Sequence, residues 1–205
     1  MIENLLPKLA IPDAEQGKLD PKCLFSDVSE VWLEIGFGGG EHLVGQARRN
    51  PNVGYIGCEP FIDGMAKALT GIEEAGLKNV RLHMEDAREV IDRLTPGSLS
   101  RLFILFPDPW PKRRQQKRRL LQPDFLVGLA RVLAPGARVR FATDVRSYAD
   151  DALMTFLENG RFRWQVGSAD DWRVPPTDHI TTRYESKQLG DIAPVWFDFV
   201  WTGSI

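Results

Sequence analysis

The chain is predicted to fold as an α/β domain: a doubly wound, mostly parallel sheet closed by an antiparallel C-terminal hairpin. Three observations predict this. Apolar runs of strand length alternate with longer helical stretches through residues 31–158. A glycine-rich turn joins the first run to the first stretch. The last two strand-like runs have no convincing helix between them.

Strands are expected at Val31–Ile35, Val53–Glu59, Val80–Met84, Leu102–Phe106 and Arg138–Ala142. Helices are expected over 40–49, 61–75, 86–93, 122–133 and 146–158. Strand, helix, strand at this rhythm makes parallel βαβ units with right-handed crossovers. Near the end, Phe162–Val166 and Val195–Trp201 read as strands, and Val195, Phe197, Phe199 and Trp201 alternate against their neighbours. Consecutive strands without a crossover helix pair antiparallel. Between them, Asp170–Pro194 is rich in Asp, Pro, Thr and Arg. A loop that long is usually functional or disordered. Residues 1–29 read as an irregular leader with a turn at Leu5-Leu6-Pro7, and residues 30–205 as a single domain.

The 205 residues suffice for one domain with a buried core. At 43% hydrophobic and 26% charged, the composition is that of a soluble globular protein. The net charge is −2, so any nucleic-acid contact must come from a local patch. Cys23 and Cys58 form neither a C-x-x-C pair nor a disulfide framework, which suits a reducing, cytoplasmic setting. His42, His83 and His179 are scattered and suggest no metal site. The N-terminal residues lack the apolar centre of a signal peptide, and no apolar run approaches the ~20 residues of a membrane span.

The first strand runs into Glu34-Ile-Gly36-Phe-Gly38-Gly39-Gly40-Glu41. In an open parallel sheet, ligands bind beyond the carboxyl ends of the strands. Gly36, Gly38 and Gly40 therefore mark a cofactor turn, although the same glycines could serve a structural turn. Glu41 stands where the third glycine of a dinucleotide fingerprint would fall, and its carboxylate opposes a pyrophosphate. A cationic cofactor without phosphate suits this loop better than a nicotinamide dinucleotide. Glu59 ends the second strand, about 20 residues on, where a carboxylate accepts ribose hydroxyls. Asp86 follows the third strand, placed to reach an adenine amine, and is also a good helix N-cap. Acids at three consecutive strand ends around a glycine turn favour an S-adenosylmethionine pocket.

The fourth strand runs into Pro107-Asp108-Pro109-Trp110-Pro111. Three prolines make this turn stiff and hold Asp108 beside the expected methyl donor. Trp110 offers a face for base stacking, or simply packs inside. Then comes Lys112-Arg113-Arg114-Gln115-Gln116-Lys117-Arg118-Arg119, with six basic residues in eight. A charge run is usually a solvated face. Its place after the expected active-site loop favours a phosphate-binding surface.

Pro-Asp-Pro-Trp-Pro-Lys-x-Arg-x-x-Lys-Arg-Arg after a strand resembles the bacterial tRNA (guanine-N7-)-methyltransferase family. The resemblance extends over roughly residues 30–202, through Glu34-Ile-Gly-x-Gly-x-Gly, Thr143-Asp144 and Thr182-Arg183-Tyr184-Glu185. It implies a Rossmann-like class I fold and methyl transfer from S-adenosylmethionine to N7 of a guanosine in the tRNA variable loop. It implies cofactor contacts from Glu34, Glu59, Asp86 and Asp108, with Asp108 also catalytic. Lys112, Asp144, Thr182, Arg183, Tyr184 and Glu185 would face the substrate, and Arg113, Arg114, Lys117, Arg118 and Arg119 would grip RNA phosphates. Many members carry His where this chain has Gln115, so a catalytic role does not carry over to that position. Many also carry a basic arm upstream of a Leu-Leu-Pro segment, which here follows Met1 closely. Three other functions fit parts of the pattern: methylation of a small molecule or protein, RNA binding without catalysis, and nicotinamide chemistry.

Overall fold

Seven strands form one sheet in a computed structural model that describes residues 2–12 and 17–203. The strands are β1 Glu30–Ile35, β2 Val53–Cys58, β3 Val80–His83, β4 Leu99–Leu105, β5 Leu133–Thr143, β6 Phe162–Trp164 and β7 Val195–Trp201. Their order is β3-β2-β1-β4-β5-β7-β6. The first five pair in parallel, and β7 pairs antiparallel with both β5 and β6. The order reverses at β1, where the chain crosses from one half of the sheet to the other. That reversal opens a crevice at the carboxyl ends of the strands.

Both faces are covered, as parallel sheets require. Val31, Leu33 and Ile35 of β1 face a core built with α4 Ala87–Arg93, α5 Pro123–Val132 and α6 Arg146–Asn159. Trp32 faces the opposite core, built with α2 Glu41–Arg49 and α3 Ile62–Glu74. The alternation along β1 thus sorts side chains onto two faces, both buried.

Part of the expected irregular leader is ordered. Ile2–Leu9 form a helix, α1, with Pro7 inside it. Proline removes one helical N–H, which is why the sequence pattern hid this short helix. Ile11 N–H then donates to the Leu82 carbonyl at 3.0 Å, on the edge of β3. Leu9 and Ile11 are buried, so this segment covers a sheet edge and joins the cores. The turn expected at Leu5-Leu6-Pro7 is therefore helix, whereas residues 13–16 of the leader lie outside the described residues.

β4 and β5 begin earlier than their apolar runs, because Ser100–Arg101 and Pro135–Gly136 break the hydrophobic pattern at a register shift, where the pairing passes from Leu99↔Leu133 to Arg101↔Arg138. β6 stops at Trp164, short of the expected Val166. The long 170–194 segment contains a helical turn, α7 Asp170–Arg173, and Trp172 packs near Phe197. It then crosses the face of β4, β5 and β7 beside α2. There Asp178 bridges Arg101 and Arg140 at 2.6 and 2.7 Å, and His179 meets Trp196 edge-on. Among the described residues, no helix is long and apolar enough to cross a membrane, and no cluster of His, Cys, Asp and Glu could hold a metal.

Candidate active site

A cavity of about 670 Å³ opens at the carboxyl ends of β1 to β4. Its lining joins three sequence-predicted groups: Glu34, Gly36, Gly38, Glu59 and Asp86; then Asp108; then Thr182, Arg183 and Tyr184. Six carboxylates, from Glu34, Glu41, Glu59, Glu85, Asp86 and Asp108, outnumber the guanidinium groups of Arg88, Arg118 and Arg183. This balance suits a cation and disfavours a pyrophosphate.

The glycine turn uses left-handed backbone at Gly36 (φ 72°) and Gly38 (φ 54°), which L side chains rarely adopt. Gly38 N–H donates to Glu59 Oε2 at 2.8 Å, and Phe61 N–H donates to Oε1 at 3.0 Å. Both oxygens are thus fixed, and each keeps a second lone pair for a ligand. Burial pushes the Glu59 carboxyl above its usual range; the two N–H donors oppose this, and the Asp108 charge adds to it. Asp86 caps α4 by accepting from Arg88 N–H at 2.9 Å and pairs with the Arg88 guanidinium at 2.8 Å. It is both an N-cap and part of the lining.

Gly40 has a different task from Gly36 and Gly38. It caps α2 in left-handed backbone (φ 81°), and a Cβ there would lie 2.7 Å from Ala68 Cβ of α3. It sets helix packing beneath the turn and does not line the cavity. Sequence reasoning missed Gly64, on α3. A Cβ at Gly64 would lie 2.4 Å from the Gly38 carbonyl and 3.1 Å from Glu59 Cγ. Glycine to alanine in a helix normally stabilises by about 1 kcal/mol. Here the intruding methyl meets backbone. Gly64→Ala is therefore expected to destabilise by about 1–3 kcal/mol and to weaken cofactor binding. Thermal melts and calorimetry check this; a rise in melting temperature with unchanged affinity would show that the turn yields freely.

The Pro107–Pro111 loop is held in strained backbone on both sides of Asp108. Phe106 (φ 52°) and Trp110 (φ 43°) are left-handed although neither is glycine. Such residues persist only where surroundings over-determine them. Phe106 N–H donates to the Ala142 carbonyl at 2.8 Å, and the Pro109 carbonyl accepts from Arg119 Nε at 2.8 Å. Asp108 itself is exposed to the cavity. Trp110 is half-buried, with the Arg118 guanidinium 5.0 Å from its ring.

The basic run forms a 3-10 helix, Arg113–Arg118. Lys112, Arg113, Arg114, Lys117 and Arg118 are exposed. Arg119 is not: it is 1% exposed. Its side chain turns inward to the Pro109 carbonyl, the Ser147 carbonyl and hydroxyl, and Asp151. The expected phosphate contact at Arg119 is thus corrected to a structural one, because every guanidinium nitrogen already has a protein acceptor.

The Thr182–Glu185 stretch divides similarly. Tyr184 donates its hydroxyl to Asp144 Oδ1 at 3.2 Å, and its ring lies 5.5 Å from Phe106. Burial, then the Asp144 and Asp108 charges, push its phenol up to about 12, so it remains a donor at neutral pH. Asp144 is buried, so it faces the cavity only through Tyr184. Glu185, expected to face substrate, is turned inward and accepts from His179 Nε2 at 2.8 Å and Thr182 N–H at 2.8 Å. Burial alone would raise its carboxyl, but His179 and Thr182 hold it below the usual range. It clamps the stretch that carries Arg183 and Tyr184. His42, to which the sequence alone assigned no role, is fully buried against Glu34 at 2.7 Å.

Residues 29–196 match the model of a family described as "Putative methyltransferase". Among solved structures, 16S rRNA methyltransferase KamB is similar with a TM-score of 0.64 at 20% identity, covering 94% of this chain and 95% of that one. A mutant 16S rRNA (adenine(1408)-N(1))-methyltransferase of Catenulisporales acidiphilia, solved with cosubstrate SAM, gives 0.63 at 18% identity, covering 97% and 96%. At such identities the likeness is one of fold. The fold and the family match together define a Rossmann-like class I methyltransferase.

Curated relatives narrow this. A tRNA (guanine-N(7)-)-methyltransferase of Hyphomonas neptunium is 62% identical over 89% of this chain and 84% of its own length. One of Caulobacter sp. strain K31 is 52% identical over 98% and 87%. The chain belongs to the bacterial tRNA (guanine-N7-)-methyltransferase family.

Proposed function

We infer that this chain transfers a methyl group from S-adenosyl-L-methionine to N7 of a guanine in tRNA, at the variable-loop guanosine. The observation that carries this reading is the acid-lined cavity bordered by the rigid Asp108 loop and then by an exposed basic helix. The cavity falls within the roughly 300–1,000 Å³ typical of ligand sites. S-adenosyl-L-methionine supplies an electrophilic methyl group on a cationic sulfur. Glu34 and Asp108 place negative charge around that cation, while Glu59 offers its remaining lone pairs to the ribose and Asp86 to the adenine.

Guanine N7 is an exposed lone pair on the major-groove edge and carries no proton. No residue need act as a base to make it nucleophilic. The N7 lone pair takes the methyl carbon and the C–S pair returns to sulfur, so positive charge moves onto the purine. Asp108 stabilises that charge as a fixed, preorganised group. Arg183 and Tyr184 border the same cavity and orient the base. The remaining contribution is alignment of sulfur, methyl and nitrogen. The reaction runs in the cytoplasm, a reading supported by the unpaired Cys23 and Cys58.

Labelled cofactor with unmodified tRNA, followed by mapping of the methylated nucleotide, tests the reaction and its position. Label on another nucleotide, or none, would overturn it. RNA grip is separable. Lys112, Arg113, Arg114 and Lys117 project from the cavity rim. Arg113→Ala with Arg114→Ala is expected to weaken tRNA binding and to flatten log affinity against log salt by roughly 0.7–0.9 per lost phosphate contact. Cofactor affinity should not change. An unchanged slope would make this helix a solvated surface.

A further inference from the structure

Glu34 sits within β1 and is 3% exposed. A buried carboxylate is costly unless hydrogen-bonded. Its partner is His42 Nδ1, at 2.7 Å. The other ring nitrogen, Nε2, lies 3.2 Å from Gln46 Nε2, and the same Gln46 nitrogen lies 2.7 Å from the Asp178 carbonyl. His42 and Gln46 are four residues apart on α2 and so share a helix face.

These contacts fix where the protons are. A backbone carbonyl only accepts, so the Gln46 atom facing Asp178 is the amide nitrogen. That nitrogen has a second hydrogen, directed at His42 Nε2. Nε2 must therefore accept, and carries no proton. The ring proton is then on Nδ1 and is donated to Glu34. From Gln46 onward, both bonds donate toward the carboxylate, while the other Gln46 amide hydrogen is donated to the Asp178 carbonyl. The far end is anchored just as firmly: the Asp178 carboxylate is held by Arg101 and Arg140, and Arg140 is held by Asp198 at 2.7 and 2.8 Å. Salt links to both arginines hold the Asp178 carboxyl down at about 2 despite the burial that would raise it. The next residue, His179, clamps Glu185 and thereby the stretch bearing Arg183 and Tyr184.

We propose that His42 is a positioning residue, locked as its neutral Nδ1–H tautomer by Gln46 and the Asp178 carbonyl, which orients the Glu34 carboxylate toward the cofactor. The proposal rests on the reading of Glu34 as a cofactor contact. It also makes the segment that borders the substrate part of the cofactor site's support, because the tautomer lock comes from Asp178.

The test has two parts. Nitrogen-15 NMR of the histidine rings in the wild-type protein, assigned with single His variants, is expected to show His42 protonated at Nδ1 and bare at Nε2. Gln46→Leu should release that lock and give a mixture of tautomers, which loss of packing alone would not do. An Nε2–H or doubly protonated ring in the wild type would overturn the proposal. Calorimetry with S-adenosylmethionine then compares Glu34→Gln, His42→Gln and His42→Asn. An Asn amide places an N–H near the position of Nδ1, whereas Gln does not. Glu34→Gln and His42→Gln should bind about 10- to 100-fold more weakly, the range for a hydrogen bond to a charged group, and His42→Asn should recover most of the affinity. If Glu34→Gln weakens binding while His42→Gln matches wild type, the proposal falls and the cofactor reading stands. If Glu34→Gln itself binds normally, the reading of Glu34 falls and the proposal with it.

Discussion

Asp108→Asn is expected to lower the single-turnover methylation rate by roughly 100- to 1,000-fold, the range for removing one preorganised electrostatic group from a transition state. The substitution keeps size and hydrogen-bonding reach but removes the charge. The fold should be indifferent, because Asp108 is exposed at the cavity and its loop is held by other groups. Phe106 and Trp110 keep their left-handed backbone through bonds from neighbouring strands and from Arg119. That strain costs on the order of 1–3 kcal/mol per residue, and it places Asp108 without help from its own side chain. The measurement is a single turnover at saturating cofactor and tRNA, with a thermal melt as control. A near-normal rate would show that charge on the purine is stabilised elsewhere, with Glu34 and Glu59 the remaining cavity acids closest in role.

The convergence of the acids on one cavity was legible because the βα rhythm predicts where strand ends lie. Glu34, Glu59, Asp86 and Asp108 are far apart in sequence, yet a parallel sheet brings successive carboxyl ends to one crevice. The antiparallel hairpin was legible from the missing crossover helix. What escaped notice depends on contacts between distant residues. Gly64 matters through the Gly38 carbonyl, and His42 through Glu34 and Asp178. The four-residue spacing of His42 and Gln46 on a helix otherwise burying Leu43 and Ala47 was the available signal. Glu185 looked like a substrate ligand because its motif travels with Tyr184, but alternate side chains along a turn point in different directions. Helix α1 was hidden by Pro7, whose local penalty is outweighed by burial of Leu9 and Ile11.

The basic run shows the same limit most sharply, and it yields the second large effect. Six charges within eight residues look alike in sequence, yet Arg119 is buried while Arg118 lies over Trp110 at the cavity. The Arg119 guanidinium binds the Pro109 carbonyl at 2.8 Å, the Ser147 carbonyl at 2.9 Å and the Ser147 hydroxyl at 2.8 Å, pairs with Asp151, and lies 4.7 Å from the Tyr148 ring. Arg119→Ala would remove the donors to two carbonyl groups and leave a void beneath the Asp108 loop. Each unsatisfied buried acceptor costs about 1–3 kcal/mol. With the cavity added, a loss on the order of 3 kcal/mol is expected. At roughly 2–4 °C per kcal/mol for a chain of this size, the melting temperature should fall by about 6–12 °C. Turnover should fall too, since Pro109 adjoins Asp108. Arg118→Ala is the contrasting variant: it should weaken tRNA binding and flatten the salt dependence while leaving the melt nearly unchanged. Arg119→Lys should recover little, because an ammonium cannot reproduce the planar fork that reaches Pro109, Ser147 and Asp151 together. The decisive comparison is melting temperature against salt slope for the two single variants. If Arg119→Ala melts like the wild type and flattens the salt slope as Arg118→Ala does, the side chain turns outward in solution and grips phosphate, and it does not anchor the Asp108 loop.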